Sequence, residues 1–170
     1  MMELIDTTFR NYYFSVQTRM LKDPRRVFSE HLPQQGVKRS LGVLLTSGIT
    51  YSLACMLISR PEAYFVHGIV LLVNALGMVF IAAAIGYGLI GMITGRWVPF
   101  PRLLSIYALS SGITLLVAWL PFSLWFTEPW KWWLIGAGLT GSFAIKRSQA
   151  LVIIIGSIVI LTLLFGAFLP

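Results

Sequence analysis

The stretch FAIKRSQALVI, Phe143 to Ile153, decides how the C-terminal part of the chain folds. Lys146 and Arg147 stand side by side in a region that is otherwise nearly all apolar or small. A pair of charges in that setting is either a buried functional group or a corner between two helices. The flanking runs, Trp130 to Ile145 and Gln149 to Leu169, are each long enough to be a helix of their own. The corner reading follows, with both long side chains reaching out to the headgroup layer.

Composition agrees with a membrane setting. Of 170 residues, 57% are hydrophobic and 11% are charged, against about a quarter charged in a soluble domain. Three further apolar runs precede the corner. Leu41 to Ser59 is long enough to span a bilayer core. Tyr64 to Thr94 exceeds one span, so it is expected to tilt, to kink near Gly86-Tyr87-Gly88, or to project from the bilayer. Leu103 to Phe126 is the third. The expected architecture is an all-α integral membrane protein. A cytoplasmic or interfacial tail (1–40) precedes a five-span helix bundle (41–170), with spans near 41–59, 64–94, 103–126, 130–145 and 149–169.

Within the tail, Ile5, Phe9, Tyr12, Val16 and Met20 recur at helical spacing. Arg10, Arg19 and Lys22 lie largely off that stripe. Such a helix is expected either in the headgroup layer or packed on the inner face of the protein. Asp23-Pro24 interrupts it, and PRRVFSEHL restarts as a second short helix with proline in its first turn. The start, MMELIDTTFRN, carries Glu3 and Asp6 where a signal peptide would carry positive charge, so no cleavable signal is expected.

The distribution of charge sets the expected orientation. Of thirteen basic residues, Arg10, Arg19, Lys22, Arg25, Arg26, Lys38, Arg39, Arg96, Arg102, Lys146 and Arg147 fall on one side of a five-span chain. Only Arg60 and Lys131 fall on the other. By the positive-inside rule the N-terminus is cytoplasmic and the C-terminus lies outside, as in a bacterial inner membrane. The net charge of +7 is then accounted for by anionic headgroups and needs no nucleic acid. The seven basic residues of the tail region, Arg10 to Arg39, are the candidate lipid or partner contact. Lys146 and Arg147 are the candidate topology determinants. Trp119, Trp125, Trp130, Trp132 and Trp133 cluster around the outer turn between spans three and four, where indoles favour the membrane interface.

Little in the chain points to catalysis. All six acids lie in the tail or in expected outer loops, and no zinc-binding His-Glu-x-x-His, nucleophile elbow or phosphate-binding glycine loop occurs. The histidines His31 and His67 are isolated, and Cys55 has no partner for an internal disulfide. No catalytic, cofactor or metal residue is therefore expected, and the chain reads as a non-enzyme. Four polar residues inside spans, Asn74, Ser110, Ser111 and Thr114, are candidates for a polar path, although hydroxyls can also bond back to their own helix. Gly91 and Gly95, and Gly138 and Ser142, have the small-xxx-small spacing of close helix packing, within one chain or between copies.

Three segments carry a resemblance to a known family. They are DPRRVF, IGYGLIGMITGRWVPFPRLLSIYALSS and WWLIGAGLTGSFAIKRSQALVIII. In order and spacing they resemble the bacterial branch of the Yip family, the Ypt/Rab-interacting membrane proteins, over about Pro24 to Leu164. The resemblance implies a five-span membrane fold. Two departures matter. Ser110-Ser111-Gly112 stands where the family often has a proline, and the Asp-Leu-Tyr-Gly-Pro motif of the eukaryotic branch is missing from the tail. The binding of prenylated GTPases is therefore not implied. Two functions remain open. One is a scaffold or partner- and lipid-binding component of the membrane. The other is a small, oligomeric transporter or permeability factor using Asn74 and Ser110. A weaker third is lipid handling.

Overall fold

In the computed structural model, residues 13–31, 36–59, 63–120 and 122–166 are described. Among them every regular element is helical. A helix over 13–22 (α1) leads into Pro24–Arg26 (α2) and a π-helical turn, Val27–His31. Five long helices follow: α3 Val37–Ser59, α4 Tyr64–Thr94, α5 Phe100–Ala118, α6 Leu124–Phe143 and α7 Arg147–Gly166. By length and composition, α3, α4, α5 and α7 can each cross a membrane.

Neighbouring long helices run in opposite directions, as their small residues reveal. Gly48 of α3 faces Leu72, and the Ser52 hydroxyl donates to the Gly68 carbonyl at 2.7 Å, so α3 and α4 are antiparallel. Gly86 of α4 lies against Tyr107 of α5, and Gly138 of α6 against Ile106 of α5. Gly136 of α6 lies against Ile154 of α7. Each of these sites admits the neighbour only because a Cβ is missing.

The long helices surround α5. Every residue from Leu103 to Thr114 is buried, on all faces of the helix. That stretch mixes Leu, Ile and Tyr with Ala108, Ser110, Ser111 and Gly112, so bulky neighbours interlock with small ones. At Gly112 the backbone of Leu44 comes within 3.6 Å of where a Cβ would sit. On α3 the facing stripe is Ser40, Val43, Leu44, Ser47, Gly48 and Ser52, a helical repeat of buried and mostly small residues.

Local sequence explains the helix ends. Gly95 closes α4 in the left-handed conformation (φ 66°) and returns its N–H to the Gly91 carbonyl at 3.1 Å. Pro99 and Pro101 open α5. At the FAIKRSQ stretch α6 stops at Phe143, Ala144 adopts φ 52°, and α7 begins at Arg147. Lys146 and Arg147 are exposed at this turn.

Three sequence expectations meet the structure here. First, the expected segment 64–94 is one helix, Tyr64–Thr94, unbroken through Gly86-Tyr87-Gly88. Second, the boundary between the third and fourth long helices falls at 119–123, so Glu128 and Pro129 belong to the first turns of α6 and not to a loop. Glu128 is neutralised by Lys131 at 2.6 Å. Pro129 lies inside the helix, past its first turn, and leaves the Trp125 carbonyl without an intrahelical donor. Third, the tail does not lie apart from the bundle. Val16 and Met20 are buried with Val27 and Phe28 against Val43 of α3, Ile106, Leu109 and Ile113 of α5, and Leu134 of α6. The Tyr13 and Ser47 hydroxyls are 3.0 Å apart, and Ser142 donates to the Phe28 carbonyl at 2.7 Å. Ser47 is about 15 Å along α3 from Val37, so α1 stands along the flank of the bundle. Its stripe is satisfied by the protein's own helices. Ile5, Phe9, Arg10 and Tyr12 lie outside the described residues.

Both small-residue pairs serve packing within this chain. Gly91 lies under the Trp97 indole, Gly95 is a helix cap, Gly138 receives Ile106, and Ser142 ties α6 to the Phe28 carbonyl. Gly138→Val should therefore lower stability by about 1–3 kcal/mol through overpacking. Ile106→Ala in the same chain should recover part of the loss. Thermal unfolding in detergent checks this; a Gly138→Val protein as stable as the parent, but changed in oligomeric state, would contradict it.

Candidate functional site

Three helices turn a regularly spaced face toward one cleft. From α4 come Leu71, Asn74, Ala75, Met78, Val79 and Ala82. The central helix supplies Tyr107, Ser111, Thr114, Leu115 and Ala118, and α6 supplies Thr127, Glu128, Lys131, Trp132 and Ile135. Steps of three and four residues keep each set on one side of its helix. Tyr51 of α3 and Leu161 of α7 complete the lining. The cavity volume is about 190 Å³, room for roughly six waters. Along α4 the lining extends about 17 Å, from Leu71 to Ala82.

The cleft exists because α7 separates α4 from α6 over only part of their length. Its buried residues are Ala150, Ile153 and Ser157. Beyond Ser157 most of its side chains are exposed. Among the described residues α4 and α6 make no extended contact with each other, while both pack on α5 and α7. Where α7 ceases to fill the gap, the cleft opens.

Its closed end is the Tyr107 ring, 1% exposed, with its hydroxyl lodged where Gly86 lacks a side chain. The Tyr107 and Ser157 hydroxyls approach one another, but neither forms a hydrogen bond of good geometry. Nearer the mouth, the Thr127 Oγ1 is also buried and unpartnered. A buried hydroxyl with no partner costs about 1–3 kcal/mol. Both residues line the cavity, but their oxygens are turned out of contact with it, Tyr107 Oη toward Gly86 and Ser157. At the mouth, Lys131 Nζ sits 2.6 Å from Glu128 Oε1 and 5.5 Å from the centre of the Trp132 ring. The Glu128 side chain is half exposed.

The cleft brings together three of the four polar-path residues. Asn74, Ser111 and Thr114 line it; Ser110 does not, being fully buried elsewhere on α5 with an unpartnered hydroxyl. Asn74 is exposed at the cleft wall. Thr114 bonds back to the Ser110 and Ser111 carbonyls, leaving its oxygen lone pairs to the cavity. Sequence reading missed Tyr107, Thr127, Glu128 and Lys131 as site residues. The spacing of Tyr107, Ser111 and Thr114, one polar face on a helix, was the available signal. Glu128 falls between the expected spans 103–126 and 130–145, and Lys131 at the very start of the second, so neither stood out as part of a helix face.

The basic residues lie elsewhere. Arg19, Lys22, Arg25 and Arg26 on α1 and α2, and Lys38 and Arg39 at the start of α3, are exposed. Arg25 is at the Gly141 end of α6, near the turn that carries Lys146 and Arg147. Among the described residues, no three His, Cys, Asp or Glu side chains gather as a metal site would require. No protein-family model, curated protein or solved structure matches the chain.

Tyr107→Phe tests whether the closed end is polar by purpose. Packing alone predicts a melting temperature equal to or above the parent's, since an unpartnered hydroxyl is removed. Differential scanning fluorimetry with the purified protein measures this. A loss of more than about 2 kcal/mol would mean that the hydroxyl has a structural partner.

Proposed function

We propose that the chain is a non-enzymatic, five-span protein of a bacterial-type inner membrane that binds a small polar solute in the α4–α5–α6 cleft and aids its passage. The observation that carries this reading is the cavity itself, whose lining among apolar helices includes Asn74, Ser111, Thr114 and the Glu128–Lys131 pair. A bundle built for packing alone has no use for a void with polar walls. Polar groups at depth among apolar helices are more economically explained as a pathway. The Tyr107–Gly86 contact then acts as the constriction between the cleft and the opposite end of the bundle.

In this reading α6 is the fourth span. Its 20 residues, Leu124–Phe143, reach about 30 Å, enough to cross, with Trp125, Trp130 and the ion pair toward the outer interface. The paired charges and the aromatic belt support that placement. The basic collar from Arg19 to Arg39, with Lys146 and Arg147, faces the cytoplasm and holds anionic headgroups at about 1 kcal/mol per residue. That collar is also the feature that favours the scaffold reading, in which a cytosolic partner replaces the headgroups. The resemblance to bacterial Yip chains supports the same span count.

Two measurements test the proposal. With Cys55 replaced by serine, single cysteines at Ser123 and Ser148 should react with an impermeant thiol reagent from opposite sides of the membrane. Labelling from the same side would mean that α6 does not cross. For the solute path, proteoliposome swelling in a panel of small neutral and zwitterionic solutes should exceed that of protein-free vesicles. Asn74→Leu should cut the increment by about tenfold without lowering the melting temperature. No acceleration for any solute would favour the scaffold.

A further inference from the structure

The mouth of the cleft has a chemical preference that the solute-path reading leaves open. Glu128 and Lys131 are one turn apart on the cleft face of α6, with Nζ and Oε1 2.6 Å apart and side chains 50% and 22% exposed. A partly exposed ion pair of this kind is worth little by itself. A ligand can therefore open it at small cost, provided that it offers each partner a replacement. A singly charged ligand replaces the partner of one member only and leaves the other to water, with no net gain. A ligand with both signs satisfies both.

We infer that the cleft takes a zwitterion, with its ammonium at Glu128 and its anionic group at Lys131. The inference rests on the solute-binding reading above and names the ligand class for it. Two further features fit. The Trp132 ring, over which Lys131 Nζ already lies at 5.5 Å, presents a π-face to a cation. Asn74, exposed on the facing wall of the cleft, offers an amide donor to the anionic group. A volume of about 190 Å³ fits the polar part of a small molecule and no more, being below the range of drug-sized sites. The two sources of that chemistry are a free amino-acid-like solute and the headgroup of a zwitterionic lipid. The second could leave its acyl chains in the bilayer, through the gap between α4 and α6.

The test uses Ser111→Cys in a Cys55→Ser background, in non-ionic detergent, labelled by a charged maleimide. Ala118→Cys at the mouth is a second reporter if the first variant folds poorly. Labelling should proceed, and a short-chain phosphoethanolamine lipid should slow it by about tenfold. A short-chain anionic glycerol-headed lipid should leave it nearly unchanged. Glu128→Gln and Lys131→Met should each remove the protection. Protection by free phosphoethanolamine as well as by the lipid identifies a soluble ligand; protection by the lipid alone identifies a lipid headgroup. Equal protection by the anionic lipid, protection that survives both substitutions, or no protection would overturn the inference while leaving the cleft reading intact. Failure of both reporters to label in folded protein would overturn the two together.

Discussion

The complete burial of α5 is the constraint on which the rest of the structure depends. A helix enclosed on every side from Leu103 to Thr114 cannot carry a large side chain at each position, because its neighbours must come close. The small residues at 108 and 110–112 meet that demand on one helix. Gly86, Gly138 and the serine-rich stripe of α3 meet it on the others. The same arrangement anchors the N-terminal helix. Met20 and Phe28 fill a space between α3, α5 and α6 that would otherwise be open on that flank.

A cleft follows from the same geometry. Helices α3, α4 and α6 pack on α5, and α7 fills the gap between α4 and α6 with Ala150, Ile153 and Ser157. Beyond Ser157 a narrow cavity remains between the helices, lined by Ser111, Thr114 and Ala118 of α5 and by Leu161 of α7. The polar groups of α5 are thus divided by position. Ser105 and Thr114 bond to their own backbone, and Ser110 is sealed in the core. Tyr107 closes the cavity at the level where α7 packing begins.

Much of this could be read from the residues, and the parts that could not have physical reasons. Helix bodies were legible because apolar runs of nineteen or more residues have one stable solution in lipid. The turn at Lys146-Arg147 was legible from its two flanking runs. The start of α6 was not, because Glu128 and Lys131 interrupt the apolar run and Pro129 disfavours a helix, while the Glu128–Lys131 pairing emerges only in three dimensions. The fate of α1 was also hidden. A stripe of Val16 and Met20 suits a membrane surface and a protein groove equally well, and only the groove between α3, α5 and α6 decides between them. For the site, Asn74, Ser111 and Thr114 stood out as polar residues in apolar helices. That Ser110 points away from them depends on the 100° step between neighbours on a helix and on which side α7 leaves open.

The account stands most directly on water reaching α5 from one end only. Spin labels placed singly at positions 104, 108, 111, 114 and 118 in bilayer-reconstituted protein, relaxed in turn by a water-soluble and a lipid-soluble paramagnetic agent, measure that profile. Labels at Ser111, Thr114 and Ala118 should respond to the water-soluble agent, and those at Leu104 and Ala108 to neither. A profile in which all five positions are shielded from water would contradict the cleft and leave α5 a purely structural core.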